Sequence, residues 1–175
     1  MTLAFDQAVN SPSPGALVEL YQIDASAVGG GIFNFTPMTN DSTLSVTFGG
    51  TLYTALPIET DGWAWSAVGA PPRPVLRVSN VNKFLHYAVL SMGDLVGAKL
   101  IRFRTFNQFL DGGAQADASA RFPDDVYIIE QKTAHNKLLI EWTLSAIVDR
   151  GGMRLPRRQI LRDKNFPGVA KIRRL

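Results

Sequence analysis

Two histidines, two close carboxylate pairs and a scatter of arginines are the residue types in this chain that can do chemistry. His86 and His135 stand in neither H-x-x-x-H nor H-x-E spacing, so no metal centre or imidazole base is expected of them. The plainer reading is that His86 packs on a helix surface and His135 caps a turn. Glu59 with Asp61, and Asp124 with Asp125, are the candidates for acid–base work. Each pair flanks a turn or a strand start, where carboxylates more often serve hydrogen bonding and solubility. P-loop, G-x-S-x-G and G-x-G-x-x-G patterns are missing, and Gly29-Gly30-Gly31 alone reads as a flexible turn. The chain has no cysteine, which excludes disulfides, thiolate metal sites, cysteine-ligated clusters and thiol nucleophiles. No catalytic residue, cofactor or metal ligand is assigned, and the chain is expected not to be an enzyme.

What remains is recognition. Arg102 and Arg104 share one face of a basic strand, where they suit phosphate or a neighbouring subunit. Trp63 and Trp65 share one face of a short extended segment and are expected to anchor a core or an interface. The charge is uneven: residues 1–149 hold 9 basic and 14 acidic side chains, net −5, whereas residues 150–175 hold 9 basic and 1 acidic, net +8. The last 26 residues also contain Gly151-Gly152, Pro156 and Pro167-Gly168, which break regular structure, so they are expected to form an extended basic arm, mobile in the free chain. Leu155, Arg157, Arg158, Ile160, Leu161 and Phe166 are its candidate contact residues, the apolar ones as anchors and the arginines as the register-setting charges.

The elements that must position these groups are mostly strands. At 175 residues with 46% hydrophobic and 19% charged side chains, one soluble globular domain is expected, able to bury about 70% of its unfolded surface. No apolar run reaches the ~20 residues of a membrane span, and no secretory leader is visible at Met1-Thr2-Leu3-Ala4-Phe5-Asp6. Gly49-Gly50 joins two alternating segments, residues 44–48 and 51–56, and predicts a hairpin with a primed turn. Residues 17–23 and 32–35 flank the triple glycine and predict a second. Pro71-Pro72-Arg73-Pro74 opens a strand over residues 75–80. Residues 81–98 carry apolar side chains at helical spacing and are the one helix expected, weakened by Gly93 and Gly97. Residues 99–106 alternate, with Ile101, Phe103 and Thr105 opposite Leu100, Arg102, Arg104 and Phe106. After a loop over 111–123 and a strand over 126–131, Leu138, Ile140, Trp142, Leu144, Ala146 and Val148 recur at period two, so one face of that strand must be buried. The fold class is therefore mainly β, an antiparallel barrel or sandwich with one short helix and the basic C-terminal arm.

The segments Leu20-Tyr21-Gln22-Ile23-Asp24, Val28-Gly29-Gly30, Phe48-Gly49-Gly50-Thr51-Leu52-Tyr53, Pro57-Ile58 and Arg73-Pro74-Val75-Leu76-Arg77-Val78-Ser79-Asn80 follow one another in a fixed order. Leu95-Val96-Gly97-Ala98, residues 102–105, Phe109-Leu110-Asp111 and Ile129-Glu130-Gln131-Lys132 continue that order. Over roughly residues 17–162 the chain resembles the minor tail protein L family of lambda-like, long-tailed phages. The resemblance implies a structural virion protein of the tail tip. It would sit in a small ring, a trimer, that joins the distal tail protein to the central fibre or hub protein, with DNA passing through the lumen. It also implies assembly in the host cytoplasm and no membrane partner in the free state. Members of that family carry a cysteine-rich C-terminal segment holding an iron–sulfur cluster. Here Asn165 stands about where the first cysteine is expected, so the cluster cannot form as it does there, and the basic arm is expected to replace or truncate that segment. The alternative is a nucleic-acid-binding β-barrel that presents Arg102, Arg104 and the arm to phosphate. It lacks aromatics interleaved with the arm's arginines, apart from Phe166.

Overall fold

The computed structural model describes residues 3–37, 45–65, 69 and 71–149. Leu155, Arg157, Arg158, Ile160, Leu161 and Phe166, with the rest of the expected arm and the boundary at residue 150, lie outside the described residues. Within them the chain is mainly β. A short helix α1 (Leu3–Val9) is followed by strands β1 (Leu17–Asp24), β2 (Ile32–Thr36), β3 (Ser45–Phe48), β4 (Thr51–Ala55), β5 (Ile58–Asp61) and β6 (Val75–Ser79). Helix α2 (His86–Ser91) and strands β7 (Lys99–Phe106), β8 (Asp125–His135) and β9 (Leu139–Ala146) complete it.

The nine strands form one sheet in the order β3-β4-β2-β1-β7-β8-β9-β6-β5. Every pair is antiparallel except β2–β4, which run parallel through Phe35 opposite Thr54 and Thr36 opposite Ala55. The sheet is rolled. β1 and β5 stand five places apart, a span of about 24 Å in a flat sheet. Yet the Tyr21 hydroxyl on β1 lies 3.2 Å from the Thr60 hydroxyl on β5.

Rolling gives β1 two buried faces. Tyr21 and Ile23 join Phe35, Leu76, Val78, Leu100, Tyr127, Ile129, Ile140, Trp142 and Leu144 in the main core, which Leu85, Val89 and Leu95 close from the α2 side. Val18 and Leu20, pointing the other way, pack with Val46, Phe48, Tyr53 and Phe103 in a second core. α1 covers a third, smaller cluster through Phe5 and Ala8, which meet Phe106, Phe109 and Ala120.

Local chemistry explains the turns. Gly49 and Gly50 both take positive φ (59° and 72°), as a primed two-residue turn requires. The Asp111 carboxylate accepts both of their N–H groups, at 2.9 and 2.8 Å, and ties the turn to the loop after β7. The expected helix over 81–98 shrinks to the six residues of α2, because Gly93, Asp94 and Leu95 adopt left-handed backbone at φ 58°, 64° and 61°. A second helix, α1, corrects the expectation of a single one, and the strand expected over 126–131 extends to His135.

Candidate interaction site

Two clusters of polar side chains stand out, one inside the rolled sheet and one at its α2 end. The first is built on the basic face of β7. Arg102 is 8% exposed, so it is not on a solvated face. Its Nε and Nη2 donate to Asp125 Oδ2 at 3.0 and 2.8 Å, and its Nη1 lies 3.6 Å from Glu19 Oε1. The guanidinium carbon sits 3.8 Å from the centre of the Trp63 ring, which meets Tyr127 edge-on. β7 pairs with β1 on one side and β8 on the other, and that register sets Arg102 opposite Tyr21 and Asp125. Arg104 is half-buried and reaches Asp125 at 3.5 Å. Burial and the hydrogen bond to Glu19 push the Tyr21 phenol up, and burial does the same to Tyr127.

This cluster is neutralised within the chain: two guanidiniums face two carboxylates, and the Trp63 ring face covers one of them. Asp125, half of a sequence pair considered for acid–base chemistry, serves as counter-ion to Arg102, while Asp124 pairs with Arg121 at 3.1 Å. Trp63 is packed against the main core, whereas Trp65 is 69% exposed, so the two indoles have different surroundings.

The second cluster was not visible in the sequence. His86 opens α2 and His135 ends β8, and the fold brings these residues together so that His86 Nδ1 lies 3.1 Å from His135 Nε2. They form a ring pair rather than a surface packing residue and a turn cap. Behind them Lys132 pairs with Asp94 and stands 3.5 Å from His135 Nδ1. Two side chains alone do not complete a metal shell, and no third His, Cys, Asp or Glu joins them among the described residues. The pair borders a cleft of about 580 Å³ lined by Asn80, Val81, Lys83, His86, His135, Asn136 and Lys137. Asn80 is buried and donates its amide to the Asn136 carbonyl at 2.8 Å. Lys83 holds its backbone at φ 52°, a region that non-glycine residues seldom occupy.

Partial burial, then the nearby Lys132 and His86, hold His135 below the usual histidine value of 6.5. The unfolded chain therefore takes up that proton first. Stability contributed by neutral His135 is present above about pH 6.5 and is lost as pH falls through the lower folded value. Melts between pH 7.5 and 5 are expected to show a His135-dependent decline of about 1–3 °C, small because the ring is partly solvated. His135→Gln should flatten that part of the profile. An identical decline in the variant would assign it to other groups.

Around the cleft lie exposed apolar side chains: Val81, Leu138, and on the outer face of α2 Tyr87 and Leu90. Phe84, partly exposed, meets Phe33 edge-on beside them. Exposed apolar side chains beside Lys83 and Lys137, which have no ion-pair partner among the described residues, are the composition of a contact surface.

A family model described as phage minor tail protein L matches residues 26–166. The chain is also 30% identical, over 156 residues, to Tail tip protein L of Escherichia phage lambda. That alignment covers 83% of this chain and 65% of the lambda protein, so the chain spans about two thirds of the length of that relative.

Proposed function

The chain belongs to the phage minor tail protein L family, and from that premise we propose that it is a structural subunit of the tail tip. In this role it forms a small ring, a trimer, between the distal tail protein and the central fibre or hub protein. It acts by assembly rather than by catalysis, is carried in the virion, and is built into the tail in the host cytoplasm. DNA passes through the ring's lumen. The family match along most of the chain carries this proposal.

The geometry supports it in two ways. One rolled sheet with three apolar clusters makes a rigid body that keeps its shape under load. The arginines of β7, which a phosphate-binding reading needs on the surface, are instead partly or wholly spent on Asp125 and Glu19.

Residues 150–175 hold net +8 and a handful of apolar anchors, among them Leu155, Ile160, Leu161 and Phe166. In the assembled tip they dock on an acidic neighbour, with Arg157 and Arg158 setting register. Deleting them is expected to leave the melting temperature of the body unchanged within about 2 °C, while the protein disappears from purified tails. Normal incorporation of the truncated chain would overturn the role of the arm. Loss of salt-sensitive DNA retention on truncation, with tails still formed, would favour a nucleic-acid role instead.

A further inference from the structure

We propose that the cleft between α2 and the β8–β9 turn is a docking site for an acidic, apolar-flanked segment of another tail protein. The inference rests on the tail-tip reading and names the chemistry of one contact within it.

Charge selects the occupant. Lys83 and Lys137 line the cleft from opposite sides, one in the turn before α2 and the other between β8 and β9. Neither has an ion-pair partner among the described residues, although Arg73, Arg77, Arg102, Arg104, Arg121 and Lys132 all do. No carboxylate among the described residues lines the cleft, and Asp94, which lies behind His135, is held by Lys132. His86 adds a further polar wall. A carboxylate entering here meets two uncompensated ammonium groups in a concave site, where the attraction exceeds that of an open-surface pair.

The rim narrows the choice to a polypeptide. Val81 lines the cleft, Leu138 follows Lys137 in the chain and Tyr87 packs on His86, and all three are exposed. A nucleic-acid backbone presents phosphates and sugars and nothing that would cover these side chains, whereas an Asp or Glu beside aliphatic residues satisfies both parts at once. A second copy of this chain fits less well through β5, where Glu59 has Arg77 3.6 Å away and Asp61 accepts the N–H of Gly62 at 2.7 Å.

The arrangement has a structural basis. Leu138 and Lys137 are held at the tip of the β8–β9 connection by Asn136, whose Oδ1 accepts the N–H groups of Leu138 and Leu139, both at 2.8 Å. The opposite wall is fixed by Lys83 N donating to the Asn80 carbonyl and His86 N donating to the Lys83 carbonyl, at 3.1 and 3.2 Å. Both walls therefore exist before a partner arrives, which limits the ordering cost of binding.

The test uses full-length protein produced during phage growth. A photo-crosslinking residue is placed at Leu138, both lysines being kept, and assembled tails are irradiated and analysed by mass spectrometry. The crosslink is expected on an Asp- or Glu-containing segment of a different tail protein. In parallel, Lys83→Glu with Lys137→Glu is expected to lower incorporation into tails at least tenfold without changing the melt of the purified protein. Lys83→Arg with Lys137→Arg should restore incorporation. Wild-type incorporation by the charge-reversed protein, or a crosslink to DNA or to a second copy, would overturn the docking site while leaving the tail-tip role intact. Absence of the wild-type chain from tails would overturn both.

Discussion

Replacing Trp142 by alanine is expected to destabilise the protein by about 3–5 kcal/mol, the range for emptying a buried aromatic site. The ring has no exposure and sits in the main core between the inner faces of the sheet and the α2 end. It does more than fill volume, because its indole N–H donates to the Asp94 carbonyl at 3.0 Å. Asp94 is one of three consecutive residues in left-handed backbone, so the indole holds in place the strained turn that ends the helical segment. The alanine variant loses apolar contact, leaves a cavity, and frees a carbonyl that had a donor. For a domain of this size the melting temperature should fall by about 10 °C. A melt by circular dichroism within 2 °C of the parent would contradict the burial of this ring. Trp142→Phe separates the two contributions, since it restores most of the volume and none of the hydrogen bond.

The second large effect is expected at Arg102. Arg102→Ala removes the cation from two carboxylates and the lid from the Trp63 ring, leaving Asp125 with Arg104 and Glu19 with the Tyr21 hydroxyl. Breaking a fully buried pair costs about 3–5 kcal/mol. Asp125 and Glu19 keep some solvent and Arg104 gives partial compensation, so about 2–4 kcal/mol is expected here. Arg102→Lys should recover less than half, because a single ammonium cannot donate in parallel to Asp125 and lie flat on an indole. Urea unfolding of Arg102→Ala, Asp125→Ala and the double variant should give a coupling above about 1 kcal/mol. Additive effects would show that the two residues act independently despite their contact.

The sequence patterns that proved legible were those with local causes. The positive φ angles of Gly49 and Gly50 follow from glycine alone, the alternation of β7 placed Arg102 and Phe103 on opposite faces, and four of the six period-two apolar positions around β9 are buried. The two end positions, Leu138 and Val148, fall beyond the strand and are exposed. α1 escaped because seven residues with two buried side chains give no measurable period. The parallel β2–β4 pairing spans residues joined by no turn signal. At the candidate site the difficulty was one of distance along the chain. Nothing in the spacing of His86 and His135, 49 residues apart, says that their rings meet. The fate of Arg102 depended on which strands flank β7, since the same alternation describes an arginine in water and one sealed under Trp63. In the rolled sheet, β8 supplies the counter-charge at Asp125 and the segment after β5 supplies the ring.

The two-sided burial of β1 bears on the order in which the protein can be made. β1 is synthesised early, yet it pairs along its whole length with β7, and the core on its inner face is completed only by Ile140, Trp142 and Leu144 of β9. While the ribosome translates the intervening residues, Val18, Leu20, Tyr21 and Ile23 have no finished surface to pack on. Long-range pairing of this kind folds slowly, since loop closure must precede the contacts that reward it. Until β7 and β9 are made, the nascent chain therefore carries a strand whose two faces are only partly covered. Folding of the sheet is expected to wait until β9 has been made, to be rate-limited by the closure of β7 onto β1, and to depend on holdase chaperones at high expression.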